Sequence, residues 1–188
     1  NVLPRPIADR LKEGESTIAD IFPEVTVLFG DICGFTEFSA RASPKQLVEL
    51  LNAVFSSFDQ LTEKHGVEKI KTIGDAYLAV AGLPTPRPDH AQAMAAVALE
   101  MLKEIECFRQ AHDVDLQMRI GIHTGPVVAG VIGKNKFIYD LWGDTVNTAS
   151  RMESHGVPGK IHVSQAIYDR VRDLFSFESR GEIMVKGK

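Results

Sequence analysis

Apolar and polar positions change period several times along the chain, and each change marks an element. Glu24 to Phe29 alternates and is rich in β-branched residues, which predicts a strand ending at Gly30-Asp31. The run Asp31-Ile32-Cys33-Gly34-Phe35-Thr36 then turns toward a helix. Ser43-Pro44 opens an amphipathic helix over Lys45 to His65, whose Leu47, Val48, Leu51, Val54, Phe55, Phe58 and Leu61 recur at helical spacing and read as core. Gly66 stops it. Val67 to Ala81 predicts a β-hairpin with Thr72-Ile73-Gly74-Asp75 at the bend. After a proline-rich loop, Leu83 to Pro88, Asp89 caps an alanine-rich helix running to about Ala111. Leu116 to Thr124 and Val127 to Ile132 read as strands about a Gly125-Pro126 turn, a second hairpin. Lys134-Asn135-Lys136 is an exposed turn, and Asp144 to Glu153 is helical, with Asp144 at the N-cap. Gly156 to Lys160 is a loop; Ile161 to Ser164, a helix from Gln165 to Leu174, and closing strands at Phe175-Ser176-Phe177 and Ile183-Met184-Val185 complete the series.

Strand, helix, hairpin, helix and further strands in that order predict an α+β fold, a ferredoxin-like split β-α-β sheet with helices on one face. Val2 to Ile21, punctuated by prolines around a short helical pattern at Pro6 to Leu11, reads as a leader, so the expected division is 1–21 leader and 22–188 domain. At 188 residues and 44% hydrophobic content, that is one domain with a substantial core.

A net charge of −4, with no lysine- or arginine-rich block to offset it, argues against non-specific binding to nucleic acid or to a membrane surface. Cys33 and Cys107 lie in unrelated segments and read as reduced thiols of a cytoplasmic protein rather than a disulfide framework. No apolar run approaches the roughly 20 residues of a membrane span, and no signal-peptide pattern opens the chain. The ends suggest a domain cut from a longer polypeptide, with a sensory or membrane region expected upstream.

Candidate chemistry gathers at turns and helix starts. Asp31 at a strand end, followed by the amides of a glycine-containing turn, suits a divalent cation held next to phosphates. Asp75 at the hairpin bend would by default be a turn-former, but a cation bound to a triphosphate commonly takes one or two protein carboxylates, and Asp31 supplies its partner. Asn147 and Arg151 are i and i+4 on the first turns of their helix, where dipole, amide and cation all suit phosphate; as a lone pair they would equally be a solvated face.

Tyr139 to Met152, running Tyr-Asp-Leu-Trp-Gly-Asp-Thr-Val-Asn-Thr-Ala-Ser-Arg-Met, resembles the signature of the class III nucleotidyl cyclases, which make cyclic AMP or cyclic GMP from the nucleoside triphosphate. Val27 to Thr36, Glu68 to Tyr77, Met118 to Gly125 and Val185 to Lys188 match the same family in the same order, so the resemblance covers the chain from Glu24 onward. It implies the split β-α-β fold with an additional C-terminal α/β subdomain after Lys134. It also implies two divalent cations, Mg²⁺ or Mn²⁺, on Asp31, Asp75 and the carbonyl of Ile32. Asn147 would orient the ribose, Arg151 would stabilise charge on the phosphoryl group in flight, and Lys186 and Arg119 would hold the triphosphate tail.

Lys71 and Asp140 carry the choice of base, beside pocket walls at Leu141 and Ile73. An ammonium donates to adenine N1 and a carboxylate accepts from the N6 amine, whereas guanine presents a protonated N1 and a carbonyl at those places. Members of the family that make cyclic GMP typically have an acid at the first position and a small residue or cysteine at the second. The expectation is therefore an adenylyl cyclase acting on ATP, with a guanylyl cyclase of the same family as the nearest alternative. Lys69, one alternation from Lys71, stays open as the contact residue on spacing alone. The resemblance also implies a head-to-tail homodimer in which Asp31 and Asp75 come from one chain and Lys71, Asp140, Asn147, Arg151 and Lys186 from the other. A degenerate nucleotide-binding or dimerisation module would be expected to lack one of these groups, and a palm-type enzyme to carry a Gly-Gly-acid hairpin where this chain has Thr72-Ile73-Gly74-Asp75.

Overall fold

The computed structural model describes residues 3–185, and they form a mixed α+β fold. Strands β1 (Ala19–Cys33), β2 (Glu68–Ile73), β3 (Ala76–Ala81), β4 (Gln117–Ile132) and β5 (Ile138–Trp142) lie in the order β2-β3-β1-β4-β5, every neighbouring pair antiparallel. A short β6 (Ile161–Val163) runs parallel to the first part of β4 on the edge that β5 uses further along. The helices are α1 (Arg5–Lys12), α2 (Phe35–Arg41), α3 (Pro44–His65), α4 (His90–His112), α5 (Asp144–Ser154) and α6 (Gln165–Val171). α3 starts where the sequence signals it: Ser43 and Gln46 form a reciprocal capping box, Pro44 takes the first turn, and Gly66 ends the helix in the left-handed conformation.

Alternation along the strands sorts the core into two. Leu28 and Ile32 of β1, Tyr77 and Ala79 of β3, and Met118, Ile120 and Ile122 of β4 face α3, α4 and α6. Val25 and Val27, Leu78 and Val80, and Val127 and Ala129 face the other way, against α1 and Ala149 of α5. The expected single helical face is thus corrected: both faces are covered, because the strand residues are apolar on both sides and each side requires a cover.

Gly125-Pro126 does not turn a hairpin. β4 runs through it as one strand of 16 residues, opposite an equally unbroken β1. The register shifts between Phe22 and Val25, so that Pro23 and Glu24 face Pro126. Two residues against one is a bulge, and it places both prolines where the ladder needs no donor. The expected closing strands at 175–177 and 183–185 are absent; this segment has no regular secondary structure as far as it is described. The segment after Lys134 adds β5, α5, β6 and α6 to the one sheet rather than building a subdomain beside it. In the stretch read as a leader, Ile7 of α1 and Ile18 are 1% and 2% exposed and belong to the second core.

Candidate active site

Asp31 sits near the end of β1, in register with Ala76 of β3 on one side and with Arg119 of β4 on the other. Asp75 is delivered beside it by the tight β2-β3 bend, where Gly74 takes φ +61° and has open space around it. A backbone hydrogen bond from the Ile32 amide to the Asp75 carbonyl, 3.2 Å, locks bend and strand together. Burial, and then the Asp75 carboxylate, push the Asp31 carboxyl above the usual range, against the pull of Arg119. Two acids crowded at a half-buried strand end form a site whose repulsion a cation would relieve. The donor set of two carboxylates and the Ile32 carbonyl suits a hard divalent ion that also binds substrate phosphate.

Glu153 joins this cluster, and the sequence reading did not include it. It is buried, and its Oε1 stands 3.5 Å from the Arg119 guanidinium that also faces Asp31. Burial drives its carboxyl up to about 7, with Arg119 opposing and Asp31 adding to the rise. A signal was present: Thr145, Ala149 and Glu153 are spaced i, i+4, i+8, and an acid on an otherwise small, buried stripe requires a partner. Burial also raises the nearby Cys33 thiol, which keeps it protonated.

Two glycines of β4 explain how Glu153 reaches the sheet. A Cβ on Gly121 would collide with the backbone of Met152 and Glu153, and one on Gly125 would lie 2.5 Å from the Thr145 hydroxyl. α5 therefore rests on bare backbone at two points of one strand. Gly156 continues the close approach, since a Cβ there would stand 3.0 Å from the Arg119 side chain. α5 itself starts one residue earlier than expected, with Gly143 at the N-cap and Asp144 inside the first turn.

Asn147 and Arg151 occupy the opposite side of α5. Asn147 is exposed and Arg151 half-buried, and among the described residues neither side chain has a hydrogen bond or ion pair. With Thr145, Ala149 and Glu153 turned inward, positions two residues away along a helix point outward. The structure thus brings Arg119 to Asp31, next to Asp75, and does not bring Asn147 and Arg151 to them within the chain.

Lys71 and Asp140 come from β2 and β5, the two ends of the sheet order, yet their side chains meet at 2.7 Å. The sheet curls until its edges touch. Asp140 is further held by the Leu141 amide, which donates to Oδ1 at 2.8 Å, while the Leu141 side chain packs into the second core. Lys69 is separated from this pair by a β-bulge: Lys69 lies opposite Ala79 and Lys71 opposite Leu78, on different faces of β3. Lys69 binds Asp59 of α3 at 3.0 Å and stands over the Tyr77 ring. Strict alternation put both lysines on one face, and the extra residue in the strand undoes it. Lys186 lies outside the described residues.

The chain matches the family model described as the adenylate and guanylate cyclase catalytic domain over residues 18–188. An adenylate cyclase of Mycobacterium tuberculosis is 49% identical over the whole of this chain, which spans 43% of that protein. The guanylate cyclase soluble subunit beta-2 of Rattus norvegicus is 47% identical, again over the whole chain and 28% of that protein. The chain thus covers less than half the length of these curated relatives. The catalytic core of a rhodopsin-guanylyl cyclase with converted specificity, in complex with ATPαS, superposes with a TM-score of 0.86 at 43% identity, covering 90% of this chain and 92% of that one.

Proposed function

The chain belongs to the family of adenylate and guanylate cyclase catalytic domains, and from that membership we propose that it converts ATP to 3′,5′-cyclic AMP and pyrophosphate in sites shared by two head-to-tail copies of itself. The observation that carries the choice of ATP is the closed Lys71–Asp140 pair at 2.7 Å. It offers a donor and an acceptor side by side, the complement of adenine N1 and N6. Guanine would set its protonated N1 against the ammonium and its O6 against the carboxylate, and buried mismatches of this kind are strongly selected against.

Cyclisation forms a bond from the ribose 3′-oxygen to the α-phosphorus, breaks the bond from that phosphorus to pyrophosphate, and releases the hydroxyl proton. Asp31, Asp75 and the Ile32 carbonyl would hold divalent cations, which supply neutralisation of the triphosphate and a lowered pKa for the attacking hydroxyl. Arg119 adds a guanidinium on the same side and binds the phosphate tail. Asn147 fixes the ribose by hydrogen bonding, and Arg151 sets positive charge against the phosphoryl oxygens as charge builds on them. Lys186 is assigned to the tail on its place in the motif.

Sharing of the site rests on the two faces of α5. Its inner face sets Glu153 beside the Arg119 that faces Asp31, and its outer face presents Asn147 and Arg151 away from them, so one α-phosphate can meet both sets only across a second chain. An exposed apolar row in register across three strands, Ile21, Val128 and Trp142, supports a protein partner. The interleaved β1-α3-β2 and β3-α4-β4 passes support a ferredoxin-like reading of the sheet. Incubation of the purified chain with ATP and separately with GTP, with Mg²⁺ or Mn²⁺ and chromatographic identification of products, tests the proposal. Cyclic AMP as the dominant product is expected; cyclic GMP as the dominant product would overturn the base assignment, and neither product would overturn the activity.

A further inference from the structure

Arg119 is held in a way that its neighbours do not require. It lies directly across the ladder from Asp31, the arrangement in which an arginine and an aspartate ordinarily close into a short, two-bonded pair of about 2.7–2.9 Å. Here the nearest approach is 3.6 Å to Asp31 and 3.5 Å to Glu153, both through the same terminal nitrogen, and Nε is buried with no hydrogen-bond partner. The guanidinium is bracketed between two carboxylates and closed onto neither. Glu153 can stand there because Gly121 lets α5 descend onto β4, and Gly156 leaves room for the arginine stem. Within the proposed reaction this placement has a use. An arginine closed onto Asp31 would occupy that carboxylate with a fixed cation and spend the donors that a phosphate tail needs.

We infer that Glu153 is a positioning residue: it holds the Arg119 guanidinium off Asp31, leaving Asp31 open to a divalent cation and the arginine's remaining donors open to the triphosphate. This rests on the reading of Asp31 and Asp75 as the cation site. Glu153 itself touches neither nucleotide nor reacting atoms. Its removal leaves Asp31 as the one carboxylate beside Arg119, and the pair closes.

The test uses Mn²⁺ with inorganic tripolyphosphate as the probe, following free Mn²⁺ by electron paramagnetic resonance, together with KM and kcat for ATP. Compared with the wild-type chain, Glu153→Ala is expected to weaken probe binding by about tenfold and to raise KM more than it lowers kcat. Glu153→Gln, whose carbonyl oxygen still accepts from a guanidinium, is expected to stay within a few-fold of wild type. In an Arg119→Ala background the further change Glu153→Ala should leave probe binding unaltered. Glu153→Leu, which fills the volume without an acceptor, is measured alongside in case the alanine variant does not fold. Wild-type probe binding in both apolar variants, or the same loss with and without Arg119, would overturn the inference. Probe binding in the wild type that survives Asp31→Ala would overturn the cation-site reading, and this inference with it; that result is recognisable because it does not involve Glu153.

Discussion

Lys71 and Asp140 stand 69 positions apart in the chain and 2.7 Å apart in the fold, and the base assignment depends on their meeting. An ammonium in an ion pair with a carboxylate keeps two further donors, and Asp140 keeps acceptor capacity beyond its bond to the Leu141 amide, so both can bind a purine edge without parting. The pair is partly screened already: the Asp140 side chain is 12% exposed and that of Lys71 39%. Lys71→Glu with Asp140→Cys replaces the pattern by one that accepts from guanine N1 and N2 and no longer repels O6. Each such contact is worth about 1–3 kcal/mol, so the ATP/GTP ratio of kcat/KM should fall by orders of magnitude under one metal. An unchanged ratio would show that these side chains do not read the base. What the sequence could not supply at this scale is the bulge that parts Lys69 from Lys71, because a strand's alternation is legible and an inserted residue within it is not. Glu153 escaped for a related reason: its role depends on what lies beneath α5, and no local pattern names that surface.

α5 is the element on which the site turns, since one face grips β4 while the other carries Asn147 and Arg151. Its seat is Gly121 and Gly125, four residues apart on one strand, and both stand in the Met118 to Gly125 motif that the sequence offered without a physical reason. Gly121→Ala sets a methyl group against the backbone of Met152 and Glu153. A side chain cannot yield there as it would at a flexible tip, so the helix must shift. The expected cost is about 1–3 kcal/mol of stability by chemical denaturation, with turnover falling much further because Asn147 and Arg151 move with the helix. Wild-type stability and turnover in this variant would mean that α5 does not sit where it is described. Helices were largely legible in the sequence, as Ser43, Pro44 and Gly66 show for α3, because caps and apolar spacing are local signals. Strand ends were less so: Gly125-Pro126 carries a turn signature, and only its pairing opposite Pro23 and Glu24 makes it a bulge inside a long strand.

For the whole molecule, the sheet's curl brings the edges β2 and β5 together at Lys71 and Asp140, while Asp31 and Asp75 gather at the end of β1 and the β2-β3 bend. Two faces of one helix then serve two different surroundings. Tertiary geometry of this kind is not written in any motif; the order of motifs named the candidate residues, and the packing of α5 on glycine separates them into two groups. On the proposed reading a chain divided so does not complete a site by itself, which makes partnership the central claim. Asp31→Ala and Asn147→Ala chains should each be inactive alone while remaining folded, since each change removes a polar group outside the core. Mixed, they form heterodimers in which one of the two sites receives Asp31 and Asp75 from one chain and Asn147 and Arg151 from the other, all intact. The decisive measurement is cyclic nucleotide formation by that mixture, with heterodimers verified by differently tagged chains. The account predicts that activity returns, to a fraction of wild type set by the share of heterodimers; mixtures as inactive as either variant, with heterodimers demonstrably present, would contradict it.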